Sequence, residues 1–156
     1  MCLPSTLGIS TGGHTLAQGG RDTQLTGLAG EFFVAAELLK RGLQASITLG
    51  NAKQIDLFAH NPRTGQTHTV QVKAIRDTNE FPIDLKRINA QHIYVFVLLN
   101  KPDVPVEYFI VPGQVLVDEP ERFGKNVGHP TFPGIHPRYL RAFGSNWTLF
   151  GASGDG

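Results

Sequence analysis

The chain has 156 residues, of which 40% are hydrophobic and 17% charged, and its formal net charge is +1 at pH 7. This length allows one domain with a hydrophobic core and leaves little room for a second, so we look for one site. The low net charge excludes a protein that binds nucleic acid through a strong overall basic excess. It still allows a local basic rim around a bound divalent cation, which itself supplies positive charge facing a phosphate.

The first residues and the single cysteine limit the cellular setting. Cys2 is the only cysteine, which excludes an intrachain disulfide framework and a cysteine-rich zinc site. No apolar stretch reaches the roughly 18 residues that span a bilayer, and the start lacks a basic segment followed by an apolar one. We therefore expect a cytoplasmic protein that is neither secreted nor bound to a membrane.

The two ends differ in composition from the middle of the chain. Residues 1–24 are rich in Gly, Ser and Thr and lack a sustained apolar period, which predicts a flexible N-terminal arm. Residues 151–156 are small and polar and predict a flexible tail. Residues 25–150 should form a single domain.

The best helix in the sequence is GEFFVAAELLKR, residues 30–41, because apolar side chains recur there at helical spacing. Thr26 is the predicted N-cap, and Gly42 is the predicted C-terminal stop. The apolar side chains that recur at this spacing are Phe33, Ala36, Leu39 and Leu43.

Strand patterns dominate the middle of the chain. Three β-like segments lie at residues 45–49, 54–59 and 68–75, and the turn signals in HNPRTGQT predict a hairpin between the last two. The apolar run YVFVLL, residues 94–99, predicts a strand at the centre of the sheet, with residues 107–111 as its neighbour. Short helices are expected at residues 84–92, 112–118 and 136–143. This order predicts an α/β sandwich around a mixed sheet.

A polar pair projects from the third predicted strand, VQVKA. Val70, Val72 and Ala74 should face one way, and Gln71 and Lys73 the other. Asp56 lies in the partner strand between apolar neighbours, where an acid is costly unless it is paired or ligated. Pairing across the hairpin can bring its carboxylate beside Gln71.

These residues supply the oxygen ligands that a hard cation prefers. The carboxylate of Asp56, the amide of Gln71 and the backbone carbonyl of Val72 suit Mg²⁺ or Mn²⁺. Lys73 can orient or deprotonate an attacking water, or stabilise charge on a phosphate. Glu31, in the first turn of the predicted helix, can hold Lys73 or a second ion. Each residue also has a plain structural role: a solvated strand position for Gln71 and Lys73, and a favourable helix N-terminal charge for Glu31.

The order of a helix glutamate, a strand aspartate and QVK resembles the PD-(D/E)XK nuclease superfamily, most closely its Mrr-like and Holliday-junction-resolvase-like branches. It is also similar to an uncharacterised bacterial family with the layout GxxGEF, NxKxID, QVK, YVFV and FIVP, over roughly residues 25–118. The resemblance implies a restriction-endonuclease-like sandwich, with a mixed central sheet flanked by helices. It implies catalytic positions at Glu31, Asp56, Gln71 and Lys73. Gln71 departs from the glutamate of many members, and Ile55 replaces the proline before Asp56.

The sequence therefore predicts a Mg²⁺-dependent endodeoxyribonuclease that hydrolyses phosphodiester bonds with a metal-activated water. DNA is the predicted partner, and no small-molecule cofactor is expected. Since a small domain offers one site, cutting both strands favours a homodimer. Gln71 and the weak basicity leave two alternatives open: a catalytically inactive binding module on the nuclease scaffold, and an immunity-type or subunit-interface protein.

Other polar residues have weaker patterns. The six histidines lack the close helical spacing of a zinc site. A further set of basic and aromatic residues can be arranged as a DNA path, although a solvated face with core aromatics explains it better. The set consists of Lys86, Arg87, His92, Arg138, Tyr139, Arg141 and Trp147.

Overall fold

The computed structural model describes residues 15–48 and 54–151. Its helices are α1 (Thr15–Lys40) and α2 (Gly113–Asp118). Its strands are β1 (Gln44–Ile47), β2 (Leu57–His60), β3 (Thr67–Ile75), β4 (Phe81–Pro82), β5 (Ile93–Leu98), β6 (Glu107–Pro112) and β7 (Gly134–Ile135). Short 3-10 helices lie at Leu85–Arg87, Pro120–Phe123, Lys125–Gly128, Pro137–Tyr139, Arg141–Phe143 and Trp147–Phe150.

Five strands form a mixed sheet in the order β1-β2-β3-β5-β6. The β1-β2, β2-β3 and β5-β6 pairs are antiparallel, and β3 and β5 are parallel. The predicted hairpin and the predicted mixed sheet are therefore confirmed. β5 lies between β3 and β6 and is buried at every residue, as its continuous apolar sequence predicts.

Alternate residues of β5 face two cores on opposite sides of the sheet. Val95 and Val97 belong to the first core, which includes Val34 and Leu38 of α1. Tyr94, Phe96 and Leu98 belong to the second core, which α2 and the irregular chain after it cover. The sheet is thus enclosed on both faces, which is the layered α/β architecture expected from the order of elements.

Helix α1 begins earlier than the sequence predicts. It starts at Thr15, so residues 15–24 of the predicted N-terminal arm are helical; residues 1–14 and 152–156 lie outside the described chain. Thr26 is not an N-cap: its hydroxyl donates to the Asp22 carbonyl at 2.7 Å and accepts from Arg76 Nε at 2.9 Å. Extending an existing helix avoids the cost of nucleation, which outweighs the two glycines at positions 19 and 20.

The opposite end of α1 matches the prediction. The helix ends at Lys40, and Gly42 has a φ of +77°, a conformation that favours glycine. Its backbone N–H donates to the Leu39 carbonyl at 3.0 Å, and the Leu43 N–H donates to the Leu38 carbonyl at 3.1 Å. These bonds satisfy carbonyls at the end of the helix and turn the chain into β1.

The side of α1 that packs on the sheet is not the one that carries the predicted apolar spacing within the helix. Phe33 and Leu39 are 44% and 57% exposed, whereas Val34 and Leu38 are fully buried. Apolar residues surround most of this helix, so their periodicity does not identify one buried side. The contact with β3 decides it, because a Cβ on Gly30 would lie 2.6 Å from the Ala74 Cβ.

Gly30→Ala is expected to lower the free energy of unfolding by about 1 to 3 kcal/mol, because the new methyl group forces α1 away from β3. Gly27→Ala is the matched control, since a Cβ there has nothing within 4 Å. The control should be stabilising by up to about 1 kcal/mol through helix propensity. Urea unfolding of both variants measures the difference, and equal effects would contradict the close contact.

The chain after β3 is less regular than the sequence predicts. Only Leu85–Arg87 of the predicted helix 84–92 is helical, as a 3-10 turn capped by Asp84. The predicted helix 136–143 consists of two 3-10 turns, Pro137–Tyr139 and Arg141–Phe143. An unpredicted pairing of β4 with β7 forms a second, two-stranded sheet. In the described parts of the chain, no helix has the length and apolar character required to cross a membrane.

Candidate active site

The carboxylate of Asp56 is held at the open edge of β3. Asp56 directly precedes β2, and its backbone N–H donates to the Val70 carbonyl at 2.9 Å. Two residues further along β3, the Val72 N–H donates to Asp56 Oδ2 at 2.7 Å. The N–H and C=O of one strand residue point to the same side, so the Val72 carbonyl also faces this edge.

Gln71 and Lys73 lie on the same face of β3, which is opposite the face that packs against α1. They are in register with Tyr94 and Phe96 of the parallel strand β5. Both line a cleft of about 640 Å³. Its remaining lining residues come from two segments beyond β3 and from the turn before β2: Gln54, Glu80, Pro82, Ile83, Asp84, Arg87, Ile88, Thr131, Phe132, Pro133 and Gly134.

The β4-β7 pairing joins the two walls of this cleft. The Ile83 N–H donates to the Pro133 carbonyl at 3.2 Å, and Asn126 Nδ2 donates to Glu80 Oε1 at 2.6 Å. Phe132 lies at the rim and is 78% exposed. His129 fixes this loop, because its Nδ1 accepts from the backbone N–H of Phe132 at 3.0 Å and its ring stacks on the Phe132 ring.

The sequence analysis missed this second wall. The segment from residue 129 to 134 reads HPTFPG, and its prolines and glycine predict only irregular chain. The available signal was Phe132, a large aromatic residue between two prolines in a polar loop. Such a residue has no apolar period to place it in a core, and an exposed aromatic of this kind favours a binding role.

Glu31 lies in the middle of α1 and not in a first turn, so a role as a helix N-terminal charge is excluded. Its carboxylate is close enough to Asp56 for the two charges to interact: burial raises the pKa of Glu31, and the Asp56 charge raises it further. Gly30, immediately before it, allows the contact between α1 and β3 that brings Glu31 near this edge.

Lys73 has no direct ion pair within the described residues. Ion pairs closer than 4.0 Å there involve Arg41 with Glu37, Arg122 with Glu119 and Arg141 with Glu107. Glu31 therefore does not bind the Lys73 ammonium directly. The charges of Lys73 and Asp56 interact, but the two side chains do not form an ion pair closer than 4.0 Å.

Burial disfavours both charges at this edge. It raises the pKa of Asp56, an effect that the Val72 N–H and the Lys73 charge partly oppose. It lowers the pKa of Lys73, where the Asp56 charge opposes the shift and Arg87 adds to it. The positive charge near the partly buried carboxylates of Glu31 and Asp56 is therefore too small to offset the effect of burial on their pKa values.

The donor set at this edge fits a magnesium-type ion and not zinc. No group of three or more His, Cys, Asp or Glu side chains suited to a metal occurs in residues 15–48 and 54–151. The oxygen donors at this edge are the carboxylates of Asp56 and Glu31 and the Val72 carbonyl, whereas Gln71 lines the cleft on the other face of β3. Mg²⁺ is usually held by one or two carboxylates together with waters and phosphate oxygens, and Asp56 and Glu31 are two carboxylates whose charges interact at this edge.

The raised pKa of Asp56 has a consequence for stability. Its protonated form is favoured in the folded state, so this contribution is fully present below the unfolded value of 3.8 and is lost as the pH rises through the raised pKa. We expect the metal-free wild type to become less stable relative to Asp56→Asn as the pH rises above that value. Urea unfolding of both proteins over a pH series measures this difference, and a constant difference would contradict it.

Most residues of the basic and aromatic set lie away from the cleft. Arg87 lines it, but His92 is buried with its Nδ1 2.6 Å from the Thr69 hydroxyl. Trp147 is 5% exposed within the first core, and Arg141 forms an ion pair with Glu107. Trp147 is therefore a core aromatic residue, as the preferred explanation of the sequence expected, whereas Tyr139 is 38% exposed.

No family model and no curated protein sequence matches this chain. Its fold is similar to that of a bacterial homing endonuclease, with 17% identity, a TM-score of 0.53, and coverage of 81% of this chain and 89% of the other. It is also similar to the Holliday junction resolvase of Archaeoglobus fulgidus, with 17% identity, a TM-score of 0.50, and coverage of 80% and 95%. The likeness confirms the predicted fold class, a restriction-endonuclease-like α/β sandwich with a mixed central sheet.

Proposed function

We propose that this protein is a metal-dependent DNA endonuclease that hydrolyses phosphodiester bonds in the cleft along β3. The observation that carries the proposal is the Asp56 carboxylate, held by the Val72 N–H next to Lys73. Its position in a fold similar to those of a homing endonuclease and a Holliday junction resolvase supports the proposal. Membership of the Mrr-like or resolvase-like branch remains a prediction.

In this proposal Asp56, Gln71 and the Val72 carbonyl hold Mg²⁺ or Mn²⁺, with Glu31 as a further ligand. The ion supplies charge neutralisation at the phosphate and lowers the pKa of water. One oxygen of Asp56 accepts from Val72, and the second has no hydrogen-bond partner among residues 15–48 and 54–151, so it can act as a ligand. The cost of burying two acidic groups is offset when the ion binds, which explains their presence in a partly buried place.

Lys73 is the proposed catalytic cation. Lys73 lines the cleft, and its charge interacts with that of Asp56. It forms no direct ion pair among the described residues. An unpaired cation in a partly buried site is available to orient a phosphate oxygen and to stabilise the negative charge that builds on it during attack. Arg87, on the wall of the same cleft, adds positive charge near this position.

The cleft lining favours nucleic acid over a small ligand. Lys73 and Arg87 are suited to phosphate oxygens, and the exposed ring of Phe132 offers a surface on which a base can stack. The acidic residues Glu80 and Asp84 in the same lining make a bound cation necessary for an anionic substrate to approach. The proposed substrate is therefore DNA in the presence of divalent metal.

Purified protein should cut or nick at least one form among supercoiled, linear, single-stranded and four-way branched DNA when Mg²⁺ or Mn²⁺ is present. The same reactions with EDTA should show no cleavage. If every DNA form stays intact with either metal, the endonuclease proposal is wrong.

A second candidate is a catalytically inactive binding module on the same scaffold. It is favoured by Gln71, which replaces an anionic ligand with a neutral one and should weaken metal binding. This candidate requires that Asp56→Ala and Lys73→Ala leave partner binding intact. Turnover by the wild type that either substitution abolishes would refute it.

A further inference from the structure

Helix α1 carries a second apolar surface on the side away from the sheet. We name it the α1 stripe: Leu25, Leu28, Phe32, Ala36 and Leu39. Phe32 and Leu39 are each 57% exposed, and Leu25 is 51% exposed. Val34 and Leu38, on the opposite side of the helix, are fully buried against the sheet. Phe33, which borders the stripe, is 44% exposed as well. A contiguous exposed apolar surface of this kind on a small domain marks a contact surface.

The spacing of the stripe is symmetric along the chain. Starting at Leu25, its members follow at intervals of three, four, four and three residues, and Phe32 is the midpoint. When two such helices run antiparallel around a twofold axis at Phe32, each Leu25 meets a Leu39, each Leu28 meets an Ala36, and the two Phe32 rings meet. A surface that matches its own reverse is what a twofold dimer requires.

The charges beside the stripe match in the same arrangement. At 100° per residue, Asp22 and Lys40 lie on the same flank of the stripe, near its two ends. Both side chains are exposed. In an antiparallel helix pair, residues on the same flank face each other. Asp22 lies ten residues before Phe32 and Lys40 eight residues after it, so Asp22 of one copy lies about 3 Å along the helix axis from the position opposite Lys40 of the other, twice per dimer. The antiparallel direction also opposes the two helix dipoles favourably.

We propose that the α1 stripe is the homodimer interface of this protein, with the two α1 helices antiparallel and Phe32 at the twofold axis. The occupant is a second copy of this chain, because the symmetric spacing and the paired flanking charges both fit it. The inference rests on the surface of α1 alone and does not depend on the proposed nuclease activity.

Sedimentation equilibrium of the full-length chain tests the interface. The wild type should be a dimer, and Phe32→Glu should weaken association at least about 100-fold because it places two carboxylates together at the axis. Val104→Glu is the matched control, since Val104 is a 48% exposed apolar residue outside the stripe; it should remain dimeric. A monomeric wild type, or a Phe32→Glu variant as dimeric as the control, would overturn the proposal.

A charge exchange tests the antiparallel direction and remains informative if Phe32→Glu fails to fold. Asp22→Lys and Lys40→Asp should each weaken the dimer by about tenfold, because each creates two like-charge pairs. The double variant restores both opposite pairs and should recover the wild-type dissociation constant. Additive losses in the double variant would rule out this pairing.

Discussion

Lys73→Met is expected to lower the rate of DNA cleavage by about 100-fold or more while leaving Mn²⁺ affinity nearly unchanged. The methionine chain has a similar length and no charge, so it suits an environment in which burial already lowers the pKa of Lys73. The metal ligands of the proposal do not include the ammonium. The effect should therefore fall on the chemical step and not on binding of the ion.

Single-turnover cleavage by Lys73→Met and by Lys86→Met measures this effect. Lys86 lies two residues after Asp84, which lines the cleft, and its backbone N–H donates to Asp84 Oδ1. Its side chain is exposed. It therefore controls for the loss of one nearby positive charge. Equal losses of cleavage rate in the two variants would mean that Lys73 contributes only its positive charge, as any nearby lysine does. Full activity of Lys73→Met would show that Lys73 has no catalytic role.

Asp56→Asn is expected to lower the rate of DNA cleavage by about 100-fold or more. It should not reduce the stability of the metal-free protein near neutral pH. The asparagine oxygen can still accept the Val72 N–H, so the local hydrogen bond is retained. The substitution removes a charge that burial disfavours, which raises or preserves the free energy of unfolding. Loss of activity together with retained stability separates a functional residue from a structural one.

Cleavage assays and urea unfolding of Asp56→Asn should be compared with Asp103→Asn. Asp103 is exposed in the β5-β6 connection at a φ of 68°, a conformation that asparagine adopts readily. This control should keep full activity. An Asp56→Asn variant that cleaves DNA at the wild-type rate would contradict the proposed site.

The sheet was predictable from sequence because its signals are local. Alternation in VQVKA, the continuous apolar run of β5 and the turn residues between β2 and β3 each specify a strand or a pairing without distant contacts. The buried face of α1 was not predictable, because Leu and Phe residues surround the helix. Contacts that are distant in the chain select the face: Gly30 approaches Ala74, and Val34 and Leu38 are buried in the first core.

In the candidate site, too, some features follow from local sequence signals and others depend on contacts that are distant in the chain. The register of the hairpin is local, and it places Asp56 beside Val72 and close to Gln71. The outer wall of the cleft depends on two residues of β4 pairing with two residues of β7, which lie about fifty positions apart. Strands this short carry no periodicity, so Phe132 and its loop could be found only in three dimensions.

The most direct test of the central claim is a calorimetric titration of Mn²⁺ into the wild type and into Asp56→Asn, because metal binding precedes every proposed catalytic step. The proposal expects saturable binding by the wild type that is lost or strongly weakened in Asp56→Asn. The titration is repeated with a DNA oligonucleotide, since phosphate oxygens can complete the ligand set of the ion. A folded wild type that binds no Mn²⁺ in either condition, or an Asp56→Asn variant that binds it equally well, would contradict the claim.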